Sequence, residues 1–72
     1  MVYQHYKGAK YRLIHQLVYV ESQGEDVPHV AYMSMDDGRI WIRPQGEFFS
    51  MVDISAEDDL EQKFVPRFQL VA

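Results

Sequence analysis

The sequence predicts a small all-β domain, either a strongly bent antiparallel sheet or an SH3-like, partly open barrel of about five strands. Three observations support this fold class. β-branched and aromatic residues dominate the apolar runs, no segment keeps apolar residues at helical spacing, and turn signals follow each run after a few residues. A chain of 72 residues encloses one compact core, so residues 1–72 form a single domain with at most one short helical turn.

Turn signals define the strands in order. Lys7-Gly8 ends the first run, residues 23–26 (Gln-Gly-Glu-Asp) end the long run of residues 10–20, and Asp37-Gly38 ends the run of residues 30–35. Later runs cover residues 51–54 and 65–71. Pro66 in the last run predicts an edge strand or a strand start, because proline cannot donate to a ladder.

Asp37-Gly38 predicts a two-residue type I′ hairpin loop in which Met35 faces Ile40. Directly opposed residues share a face of the sheet, so Trp41 points away from the main core. The predicted core face is Met33, Met35, Ile40 and Ile42, and the opposite face is Tyr32, Ser34, Trp41 and Arg43.

Pro44 ends the strand that follows this loop, and residues 44–49 then form a tight turn that returns a phenylalanine to the core. Residues 55–62 leave two alternatives open. They form either a short helix capped by Ser55, with acidic residues in its first turn, or a mobile acidic loop.

Composition limits the classes of function. The net charge of −4 argues against general nucleic-acid binding, although residues 1–20 carry three bases and no acid, so a local basic patch is compatible with the sequence. The chain has no cysteine, no apolar run of about 20 residues and no signal-peptide pattern. We therefore expect a cytoplasmic protein without membrane association.

Catalytic and metal-binding patterns are weak. His5, His15 and His29 are spaced unlike compact metal ligands, and no Gly-x-Ser-x-Gly element surrounds any serine. The acidic residues 53–61 lack the alternating ligands and central glycine of a calcium loop. The sequence predicts neither a metal nor a cofactor.

Several short motifs occur in order along nearly the whole chain. They are His5-Tyr6-Lys7-Gly8 followed by Tyr11, then Ala31-Tyr32, Trp41-Ile42-Arg43-Pro44 with Phe48-Phe49, and Val65-Pro66-Arg67-Phe68. In this pattern the chain resembles the bacterial domain-of-unknown-function family 1653. The resemblance implies a small β-rich fold and assigns no activity.

The functional hypothesis is a non-enzymatic binding or interaction module. Tyr32, Trp41 and Arg43 combine aromatic rings with a guanidinium, a surface suited to a peptide or a small anionic ligand. The candidate rim residues are His5, Lys7 and Arg67. Alternatively, the N-terminal segment folds over this face and buries Trp41.

Two further functions are compatible with the sequence. His5 and Arg43 could converge in a pocket for acid/base chemistry on a small anionic substrate. The protein could also be a homodimer that pairs an exposed edge strand.

Overall fold

A computed structural model describes residues 1–24 and 26–72, which form seven strands, one helical turn and one 3-10 turn. The strands are β1 (Val2–His5), β2 (Lys10–Tyr19), β3 (Pro28–Ser34), β4 (Ile40–Pro44), β5 (Met51–Asp53), β6 (Phe64–Pro66) and β7 (Phe68–Leu70). The helical turn α1 is Gln45–Phe48, and the 3-10 turn is Glu21–Gln23. The turn predicted at residues 23–26 includes Glu25, which lies outside the described residues.

Five strands form one antiparallel sheet in the order β4-β3-β2-β1-β7, and β5 pairs with β6 in a separate two-stranded ribbon. β1 lies between β2 and β7, so that Tyr3 faces Tyr11 on one side and Leu70 on the other. Within the described residues β4 and β7 do not pair with each other, so the barrel is not closed. The predicted mainly-β fold with a bent sheet is confirmed.

Irregularities in β2 bend this sheet. The register of β2 against β3 shifts between Leu13 and His15 and again between His15 and Val18. Such bulges increase the local twist and curve a sheet. The rings of Tyr32 on β3 and Phe68 on β7 lie 5.2 Å apart between centroids. In the sheet β2 and β1 lie between β3 and β7, so these strands are three strand positions apart and would be separated by ~14 Å in a flat sheet. The much shorter distance between the rings shows that the sheet curls around one face.

The concave face of the sheet holds an aromatic core. Its buried residues are Tyr3, Val30, Tyr32, Phe48 and Phe68, with Tyr11 and Leu13 packed against them. The rings of Phe48 and Phe68 stack at 4.2 Å with an interplanar angle of 7°. The predicted return of a phenylalanine after Pro44 is confirmed, and the returning segment is the helical turn α1.

The predicted two-residue hairpin loop is wrong, because the loop contains the four residues 35–38. The Ser34 N–H donates to Arg39 O at 2.8 Å, and the Gly38 N–H donates to Ser34 O at 3.0 Å. The Ser34 hydroxyl also accepts the N–H of Asp36 at 3.2 Å, and Gly38 takes the left-handed φ of +75° that suits glycine. The register therefore shifts by two residues, and Trp41 faces Tyr32.

The predicted core face is also wrong. A register shift of two residues does not change which side chains share a face of the β3–β4 hairpin. However, the buried face is the one that carries Val30 and Tyr32, whereas Ile40 and Ile42 are exposed on the opposite, convex face. The physical reason is that Phe48 and Phe68 pack onto the Tyr32 side. Aromatic rings bury more area than isoleucine, so they determine which side becomes the core.

Residues 55–62 form a loop with a turn and not a helix. The Ala56 N–H donates to the Asp59 carboxylate at 2.7 Å, and the Asp59 N–H donates back to Ala56 O at 3.0 Å. Asp59 therefore closes a local turn instead of starting a helix.

Candidate anion-binding site

Four of the six predicted site residues have basic side chains, and the curl of the sheet brings them to one end of the molecule. His5 ends β1, Lys7 lies in the β1–β2 turn, Arg43 lies on β4 and Arg67 joins β6 to β7. The charges of Arg43, Lys7 and Arg67 all act on the imidazole of His5. We call these four residues the basic cluster.

His5 occupies the centre of the basic cluster. Its ring packs edge-on against Phe68 at 4.9 Å and tilts over Tyr6 at 4.6 Å. The N–H of Lys7 donates to His5 Nδ1 at 3.2 Å, which leaves the proton of the neutral ring on Nε2. Burial, followed by the charges of Arg43, Lys7 and Arg67, lowers the pKa of His5 below 6.5. The imidazole is therefore mainly neutral at pH 7.

Arg43 is held from three directions. Its Nε donates to the hydroxyl of Tyr32 at 3.1 Å, its Nη1 donates to Glu47 Oε1 at 3.1 Å, and its Cζ lies 5.6 Å from the centre of the Phe68 ring. His5 and Arg43 therefore contact the same ring, so the distance between their charged groups is at most the sum of two short contacts. Arg43 does not line the open pocket that adjoins His5, so the acid/base alternative stays a prediction.

Tyr32 has a different position from the one predicted. It is buried in the aromatic core, where its ring packs against Tyr11 at 5.2 Å. Its hydroxyl orients Arg43, so Tyr32 supports the basic cluster from below and offers no open ring face to a ligand.

Arg67 and Lys7 extend the basic cluster on the β1 side. Arg67 Nε donates to Ser50 Oγ at 3.1 Å, and its backbone N–H donates to Ser50 O at 2.9 Å. Arg67 is therefore anchored to Ser50 through both its side chain and its backbone. The Lys7 ammonium lies 5.8 Å from the centre of the Tyr6 ring.

Trp41 lies apart from His5, on the outer strand of the sheet. It shares the concave side with Arg43, but 48% of its surface is exposed. The N-terminal segment forms β1, and with about half of its surface exposed Trp41 is not buried by that segment. The alternative in which this segment buries Trp41 is wrong.

An open pocket of about 340 Å³ adjoins His5 on the ribbon side. Its lining is Gln4, His5, Tyr6, Gly8, Ile54, Val65, Pro66 and Gln69. Sequence reasoning missed the wall formed by the β5–β6 ribbon. The sequence places Val65 and Pro66 directly before Arg67, which was the one indication that they belong to the site. No local pattern indicates that the ribbon lies against β1.

The other two histidines lie elsewhere. His29 is buried and its Nδ1 lies 2.7 Å from Val27 O, whereas His15 Nδ1 accepts the N–H of Leu17 at 3.2 Å. Across residues 1–24 and 26–72, no three metal-ligating side chains are grouped to hold an ion. In the same part of the chain, no helix has the length and apolar composition to cross a bilayer.

The fold and the basic cluster define a small β protein built from a five-stranded sheet and a two-stranded ribbon, with basic side chains at one end. A model of the family described as "Protein of unknown function (DUF1653)" matches residues 1–70. The chain therefore belongs to this family, and the resemblance noted from its motifs is confirmed. No curated protein and no solved structure matches the chain.

Proposed function

We propose that this protein is a non-enzymatic binding module that holds an anionic group, a carboxylate or phosphate of a peptide or small molecule, at the basic cluster. The observation that carries the proposal is the convergence of His5, Lys7, Arg43 and Arg67 in a chain whose net charge is −4. The proposal includes a cytoplasmic location, which the cysteine-free composition supports.

The local charge balance favours an anion. Among the described residues, Glu47 is the carboxylate that pairs with the basic cluster, through Arg43. A guanidinium has five N–H donors, and two of those on Arg43 serve Tyr32 and Glu47, so the remaining ones suit a carboxylate or phosphate. The hydrogen bond that Arg43 donates to Tyr32 orders the guanidinium in advance, which lowers the entropy cost of binding.

His5 connects this binding to pH. An anion beside a neutral imidazole favours its protonated form, so binding raises the pKa of His5 from its lowered value. Affinity for the anion therefore increases as the pH falls through the range below 6.5. His5→Gln should remove this pH dependence of the affinity.

The test is an NMR titration of the protein with sulfate against chloride at equal ionic strength, because sulfate does not titrate near neutral pH. We expect amide shifts around Tyr6, Gly8 and Phe68, together with an upward shift of the His5 pKa. Arg43→Gln should weaken sulfate binding by about tenfold, the usual loss when one charged hydrogen-bond partner is removed.

Arg12→Gln is the matched control, since Arg12 is an exposed arginine on β2 that lies opposite Met33 on the convex face of the sheet. It should leave sulfate binding unchanged. Equal losses in the two variants, or shifts confined to another face, would contradict the proposal.

Acid/base catalysis on a small anionic substrate is a second candidate. The lowered pKa of His5 and its shared contact with Arg43 on Phe68 favour it, because a neutral imidazole beside a guanidinium can accept a proton from a bound anion. Incubation with panels of phosphate monoesters and carboxylate esters tests it. Turnover must disappear in His5→Gln and persist in His15→Gln. If the native protein shows no turnover, the catalytic candidate is contradicted and only the binding proposal stands.

A further inference from the structure

We propose that a second copy of this chain pairs with β4 in an antiparallel register, so that the two five-stranded sheets continue into one another across a twofold axis. This inference does not depend on anion binding at the basic cluster. It rests on the backbone and side chains at the outer edge of β4.

The two edges of the sheet differ. β7 has three residues and begins two residues after Pro66, and short edge strands next to proline resist pairing. β4 has five residues, and three consecutive ones are large, apolar and exposed: Ile40 at 62%, Trp41 at 48% and Ile42 at 52%. No lysine or inner proline interrupts this stretch, so β4 lacks the usual protection of an edge strand.

The backbone groups that face outward can be assigned. Because the Ser34 N–H bonds to Arg39 O, alternation along an antiparallel ladder directs the polar groups of Trp41 and Arg43 toward β3. The N–H and C=O groups of Ile40 and Ile42 then point away from the sheet. Within the described residues β3 is the strand hydrogen-bonded to β4, so these four groups have no strand partner.

One register of a second copy satisfies all four groups. With Ile40 opposite Ile42 of the second copy, each pair exchanges two hydrogen bonds and Trp41 meets its counterpart on the twofold axis. A shift of two residues in one direction places Ile40 opposite Pro44, which has no N–H. A shift in the other direction places Ile42 opposite Gly38, whose N–H already donates to Ser34 O.

Side chains are compatible with this register. The isoleucines of both copies adjoin on the convex face, where each is exposed in the single chain. Arg39 faces Arg43 of the second copy, but each arginine has its own carboxylate, Asp37 at 3.5 Å and Glu47 at 3.1 Å. Because a single strand pair buries less than the ~1,200 Å² of a standard interface, the dimer forms in a concentration-dependent manner.

Disulfide capture tests the register directly, since the chain has no cysteine of its own. In the proposed pair the Cα atoms of the two residues 41 lie about 4.5 Å apart, within the range of a disulfide. We expect Trp41→Cys to form a disulfide-linked dimer rapidly with oxidised glutathione. Met35→Cys is the control, because Met35 is equally exposed at 48% but lies in the loop beyond the pairing. It should remain mostly monomeric.

Sedimentation equilibrium tests the pairing without a new thiol. The native chain should show a monomer–dimer equilibrium, and Ile42→Pro should weaken it at least tenfold while leaving the β3–β4 ladder intact, since its N–H points outward. Amide NMR spectra verify that the variant folds. A native chain that stays monomeric at millimolar concentration, or cross-linking of Met35→Cys as fast as Trp41→Cys, would overturn the proposal. A monomer would leave β4 open to a strand from a different protein.

Discussion

The concave and convex faces of the five-stranded sheet both carry large apolar residues, but these are buried on the concave face and exposed on the convex face. On the concave face Tyr3, Val30 and Tyr32 are buried, whereas Ile40 and Ile42 on the convex face are about half exposed or more. The difference arises because α1 folds back onto the sheet and the curl of the sheet brings β7 over the same side, so that both place a phenylalanine on the concave face. The covering segments, and not the apolar character of the strands, determine which face becomes the core.

The largest effect is expected from removing the side chain of α1 that covers the concave face. Phe48 is fully buried and stacks on Phe68, so Phe48→Ala should destabilise the fold by about 3–5 kcal/mol, the cost of losing a buried aromatic ring. Urea unfolding followed by circular dichroism measures the loss. Phe48→Leu, which retains most of the volume, should recover a large part of it.

The neighbouring phenylalanine provides the control. Phe49 is half exposed and its contacts with Tyr3 and Phe48 are edge-on, so Phe49→Ala should cost about 1 kcal/mol. Similar losses at positions 48 and 49 would show that α1 does not cover the concave face as described.

A smaller effect is expected from pH, at the end of the concave face where His5 lies. The pKa of His5 is lowered in the folded state by burial and by three positive neighbours, so the unfolded chain binds a proton more readily. Stability from this group is fully present above pH 6.5 and is lost as the pH falls through the lowered pKa. Urea midpoints between pH 7.5 and 5.5 should decrease in the native chain and decrease less in His5→Gln. An unchanged slope in the variant would contradict this assignment.

The smallest effect belongs to the convex face. Ile40→Thr, measured at low protein concentration where single chains dominate, should change the free energy of unfolding by no more than about 0.5 kcal/mol. Val30→Thr is the matched substitution on the fully buried side, and its buried hydroxyl should cost about 1–3 kcal/mol. If both variants lose the same free energy of unfolding, the concave and convex faces do not differ in burial as described.

Much of the fold follows from local chemistry in the sequence. Lys7-Gly8 and Asp37-Gly38 do mark turns, Pro44 does end its strand, and the mainly-β class is correct. The hairpin register was missed because the hydroxyl and N–H of Ser34 extend the loop to four residues, an interaction that the Asp-Gly signal does not contain.

Four of the six candidate residues suggested by the sequence lie together, but their arrangement was not predictable. Arg43 and His5 belong to strands that are three steps apart, and they meet at Phe68 only because the bulged β2 curls the sheet. The burial of Tyr32 has the same origin, since it depends on Phe48 and Phe68 arriving from distant segments. Long-range curvature of this kind leaves no local pattern in the sequence.

The position of β1 between β2 and β7 determines when the protein can fold during translation. Residues 2–5 leave the ribosome before the other described strands, but the strand that completes their pairing, residues 68–70, is made after all of those strands. Phe68, which packs against both Phe48 and Tyr32, arrives at the same late moment. The nascent domain therefore lacks part of its core until β7 has been made, and we expect folding to take place in one step after that point instead of strand by strand.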